Sequence, residues 1–86
     1  MANKRQLKKN INTVIFDVID ECIYIQETRP EKLDASETLI NEAIDVYNTL
    51  MAGIHSAKSK ADYTEIIATF EEKADDFVDK LNSLNA

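Results

Sequence analysis

Eighty-six residues, 44% of them hydrophobic and 30% charged, suffice for one small core, because a domain of this length hides only roughly 60% of the surface its unfolded form exposes. One glycine and one proline exclude Gly-rich phosphate loops and suit long helices better than sheets, and a single cysteine excludes an intrachain disulfide. The net charge of −6 is unevenly spread: residues 1 to 10 hold four bases and no acid, whereas the rest hold six bases against sixteen acids, a net −10.

The first predicted helix, over 4–28, is built around Ile11 to Ile25, INTVIFDVIDECIYI, where ten of fifteen residues are apolar. At about 100° per residue nine of these, all but Tyr24, fill an arc of roughly 200°, with Asn12 the one polar intruder, and an arc that wide needs at least two neighbours to cover it. Cys22 falls in the middle of the arc and reads as a buried thiol. Phe16 and Ile23 occupy its far margin, beyond the usual reach of two neighbours, and are the candidate dimer contact. Arg29 and Pro30 then stop the helix, since Pro forces its predecessor out of the α region. Residues 29 to 34 form the connection.

Asp34 with Glu37 three residues on has the spacing of a capping box and predicts a second helix over 35–57. Two seams run along it, one at 39, 43, 46 and 50 and another at 40, 44, 47, 51 and 54, which implies two partner helices. The next break lacks proline, and Gly53 lies about a turn inside the helix, so residues 55–62 read either as a loop or as a kink in one long helix. Ser59 with Asp62 and Asp62 with Glu65 are alternative caps for a third helix over 60–84. Its stripe, Tyr63, Ile67, Phe70, Ala74, Phe77, Leu81 and Leu84, alternates steps of four and three.

The expected fold is therefore all-α: a single domain over 1–86 forming an antiparallel up-down-up three-helix bundle with coiled-coil-like packing. Its expected core is Leu7, Ile11, Ile15, Val18, Cys22, Ile25, Leu39, Ala43, Val46, Leu50, Ile54, Tyr63, Ile66, Ile67, Phe70, Phe77 and Leu81. Phe70 in particular is expected to cost about 3 to 5 kcal/mol when truncated to Ala.

Reaction chemistry finds little footing. His55 is the only histidine, no Glu-x-x-His pair exists, and a Cys–His pairing would need a thiol that lies in the core. No catalytic, cofactor-binding or metal-ligating residue is expected, and the chain reads as no enzyme. Two charge features stand out instead. Glu71, Glu72, Asp75, Asp76 and Asp79 crowd one face of the third helix, with like charges at i, i+4 that cost a few tenths of a kcal/mol each. That face reads as solvated, or as the receiver of a basic protein partner. The antiparallel topology would also gather Lys4, Arg5, Lys8, Lys9, Lys58 and Lys60 at one pole. Nucleic acid is disfavoured there, because no aromatic residues interleave the bases and the acidic body repels phosphate.

MANKRQLKKN before an apolar segment has the order of a signal peptide, but Asp17, Asp20 and Glu21 interrupt the apolar run. No segment approaches the roughly 18 apolar residues of a membrane span, so a cytoplasmic location without membrane contact is expected. KRQLKKNIN with DECIYI, followed by the helical pattern to LNSLNA, resembles small all-helical bacterial proteins of uncharacterised families. The resemblance implies a short acidic bundle and carries no activity, cofactor or site. The function expected is a helical interaction or accessory module, with a protein partner or a homodimer; the alternative is a nucleic-acid-associated accessory protein using the basic pole.

Overall fold

The computed structural model describes residues 4–85, which form three α-helices: α1, Lys4–Thr28; α2, Leu33–Ser56; and α3, Lys60–Asn85. No strand occurs among the described residues. The start of α1 agrees with the expected one at Lys4; the ends of the expected domain, 1–3 and 86, lie outside the described residues. Helices of 24 to 26 residues each span nearly 40 Å at about 1.5 Å per residue, and the molecule measures 45 × 17 × 17 Å. Its radius of gyration of 14.1 Å exceeds the roughly 12 Å of a rounder chain of this length, so side chains on the outer flanks have less cover.

α1 supplies the spine of the core. Leu7, Ile11, Ile15, Val18, Cys22 and Ile25 recur at steps of four and three and are all buried. α2 answers with Ser36, Leu39, Ala43, Leu50 and Ile54. α3 contributes one buried residue, Phe77, and lays Tyr63, Ile66, Ile67, Phe70, Leu81 and Leu84 half-buried against the cluster, as Val46 of α2 also lies. Six residues expected in the core are therefore only partly covered, Phe70 among them, because α3 rests on the groove of the other two helices instead of sinking into it.

The two breaks are built differently. Pro30 opens a 3₁₀ turn, Pro30–Lys32, that runs straight into α2, with the Leu33 N–H donating to the Pro30 carbonyl. That continuity overturns the Asp34–Glu37 capping box: α2 starts two residues early, its cap is Lys32 with no side-chain hydrogen bond, and Asp34 sits inside the first turn, where a carboxylate favours the helix dipole. The second break is a loop and not a kink. The backbone N–H groups of Lys58 and Ser59 donate to the Asp62 carboxylate at 3.0 and 3.2 Å, and the Asp62 N–H donates to the Ser59 hydroxyl at 3.2 Å. This reciprocal cap fixes the start of α3 at Lys60, and Gly53 stays helical within α2.

Two outcomes follow. Phe77→Ala costs about 3 to 5 kcal/mol in urea unfolding, and Phe70→Ala, half-buried, costs clearly less; equal losses would contradict the depth assigned to α3. The hydrogen bonds hold the Asp62 carboxyl below its ordinary value, the two backbone donors first. Its contribution is therefore present at neutral pH and lost as pH falls below about 4. Asp62→Asn is less stable than the parent at pH 7, and the gap between the two closes in acid.

Candidate functional site

The acidic face divides in the structure. Glu71, Glu72, Asp75 and Asp79 are exposed along α3, but Asp76 is half-buried and committed. The Lys80 ammonium takes the Asp76 carboxylate at 3.0 Å, one turn back on the same helix, and the Glu42 carboxylate of α2 at 2.6 Å. These contacts raise the Lys80 pKa, the hydrogen bond to Glu42 most. With all three side chains still over two-fifths exposed, each pair is worth only about 0.2 to 1 kcal/mol, and of the two only Glu42–Lys80 spans α2 and α3. The sequence reading missed this triad, although the i, i+4 spacing of Asp76 and Lys80 announced half of it.

Of the basic residues, Lys4, Arg5, Lys9, Lys58 and Lys60 are exposed and Lys8 is half-buried. Arg5 is engaged in an interaction within the chain. Asp62, the acid closest to them in sequence, is occupied by the cap of α3. His55 is exposed in the last turn of α2. No group of three or more His, Cys, Asp and Glu positioned to hold a metal ion occurs among the described residues.

Cys22 is fully buried, and burial, with the neighbouring Glu21 charge, pushes its thiol up to about 11. A thiol so protected is not a nucleophile at neutral pH.

Apolar side chains at the surface are the more informative feature. Phe16 is 58% and Ile23 43% exposed, on the margin of α1 where the sequence located them. Ile44, expected within a seam of α2, is 43% exposed instead, although Ile40, Tyr47 and Met51 of that seam are half-buried and Ile54 is buried. Val78 of α3 and Tyr24 of α1 also reach the surface. Shallow clefts lie between the helices. One of about 400 Å³ runs beside Thr38, Leu39 and Lys80, and another of about 450 Å³ lies between Val14, Asp17, Glu21 of α1 and Val78, Leu81 of α3. Neither gathers a nucleophile, base and oxyanion donor in reach of one another. No helix among the described residues is long and apolar enough to cross a membrane.

Compared with protein-family models, curated proteins and solved structures, the chain finds no match in any of the three.

The state of Cys22 is directly measurable. At pH 8 the folded chain leaves a thiol-specific reagent unreacted over the time in which the urea-unfolded chain consumes one equivalent. Because the folded state keeps a proton that the unfolded chain releases near pH 9, stability falls as pH climbs from about 9 towards 11, and Cys22→Ala lacks that slope.

Proposed function

We propose that the chain is a non-enzymatic helical interaction module working in a reducing, cytoplasmic setting. In this reading the three helices run up-down-up, antiparallel, with coiled-coil-like packing. Three observations support that arrangement: one cleft is shared by the start of α2 and the end of α3, another by the end of α2 and the start of α3, and Glu42 pairs with Lys80 across the two helices. The observation that carries the functional reading is the exposure of Phe16 and Ile23 on a chain whose clefts assemble no reacting groups. Large apolar side chains clustered on one flank mark contact surfaces. Four exposed carboxylates of α3, Glu71, Glu72, Asp75 and Asp79, offer a second surface suited to a basic partner.

A second reading rests on Lys4, Lys8, Lys9, Lys58 and Lys60, exposed or half-buried bases that the antiparallel arrangement gathers at one pole around the single carboxylate of Asp62. It makes the protein a nucleic-acid accessory factor.

A photoreactive amino acid placed at position 16, and separately at position 72, separates the readings in cells. The interaction module gives protein adducts from at least one position, and fluorescence anisotropy with duplex DNA or single-stranded RNA stays flat at about 150 mM salt. Micromolar binding to nucleic acid with no protein adduct from either position overturns it in favour of the basic pole.

A further inference from the structure

The cleft of about 450 Å³ between α1 and α3 has an apolar floor and an acidic border. Val14 and Val18 of α1 line it together with Ala74, Val78 and Leu81 of α3, and Val78 is 54% exposed, so part of that floor lies open. Asp17 and Glu21 line the α1 side. On the α3 side Glu71 and Asp75 stand seven residues, two turns, before Val78 and Asn82, which line the cleft, and therefore share their flank. Tyr24, also exposed, follows Asp17 by the same interval and carries apolar surface further along that side.

Among the described residues, no base stands on either wall along this length. α1 carries none between Asn10 and Thr28. On α3, Lys73 and Lys80 are seven residues apart and occupy the flank towards α2, where Lys80 pairs with Glu42. Lys60, the first residue of α3, lies about 16 Å along the axis from Glu71. An open apolar strip between two rows of acids is complementary to apolar side chains set between two rows of bases. The walls also decide the backbone of the occupant. Both are helices whose N–H and C=O groups bond within the helix, so neither offers an edge to which an extended peptide adds as a strand. A helix satisfies its own backbone and docks through side chains alone.

We propose that the α1–α3 cleft receives a basic amphipathic helix of another protein, its apolar stripe over Val78 and its Lys and Arg side chains against Asp17, Glu21, Glu71 and Asp75. From Glu71 to Asn82 the wall runs about 17 Å, the length of three turns of a docked helix. A contact of three turns falls at the small end of protein interfaces, so the complex is weak and sensitive to salt. The docking rests on the chain being an interaction module, as proposed above, and goes further in naming the groove and the chemistry of its occupant.

The probe is a fluorescent amphipathic peptide of leucine and lysine, with leucine at helical spacing, titrated with the full chain and followed by anisotropy. It binds at about 50 mM salt and weakens several-fold by about 300 mM, and oligolysine of equal charge binds at least about tenfold more weakly. Val78→Glu weakens the leucine–lysine peptide about tenfold although it adds a negative charge, and Asp17→Lys weakens it by a similar factor. Both positions are exposed, so thermal unfolding matches the parent's. Glu72→Lys makes the same charge change about 120° round α3 from Val78 and alters affinity less than about twofold. Absence of binding overturns the proposal; so do equal binding of oligolysine, a Val78→Glu chain that binds more tightly, and equal losses from Asp17→Lys and Glu72→Lys. If the peptide stays unbound while position 16 yields protein adducts, the cleft is rejected and the interaction reading stands. Without adducts from positions 16 and 72 both fall.

Discussion

α1 must hide more apolar surface than one neighbour can cover, and that requirement arranges the remaining two helices. Its six buried residues repeat every three or four positions, and Ile11, Cys22 and Ile25 lose all contact with water. At about 25 cal/mol per Å² of apolar surface this stripe is a main source of the stability that offsets the ordering of 25 residues of backbone. α2 and α3 are placed to close over it, and neither has a comparably wide buried face. The same width leaves α1 with a surplus: Ile19 still packs on the core, whereas Phe16 and Ile23 at the margin stay exposed.

Charge refines what the apolar stripes begin. The Glu42–Lys80 pair links α2 to α3 at the edge of their apolar contact, and Asp76 joins it from one turn back on α3. α1 itself carries its charge against its dipole, with Lys4 and Arg5 in the first turn and Glu27 in the last, where the opposite signs would be favoured. Such an arrangement costs isolated-helix stability and is affordable because tertiary burial, not propensity, holds α1 together.

Much of this was legible in the sequence, for reasons tied to particular residues. The burial of Leu7 through Ile25 on α1 could be read because a uniform spacing of apolar residues leaves one register. Proline at position 30 marked a break without ambiguity. The Asp34 cap was misread because a local pattern cannot reveal that Pro30 starts a 3₁₀ turn feeding α2 directly. Phe70 and Phe77 share one stripe, and only the packing of the three helices decides which of them is deep. Ser36, the one buried polar residue among the described residues, escaped notice because its hydroxyl donates to the Leu33 carbonyl at 2.9 Å, a local partner that no hydropathy pattern records. The candidate surfaces were readable in part: the margin of α1 stood out by excess, whereas the division of the α3 acids depended on Glu42, thirty-eight positions from Lys80.

The connection between α2 and α3 spans only residues 57–59 and is clasped by Asp62 through two backbone N–H groups and the Ser59 hydroxyl. A tether that short holds two long helices at each other's side before any distant contact forms, so the entropy lost in bringing them together is small.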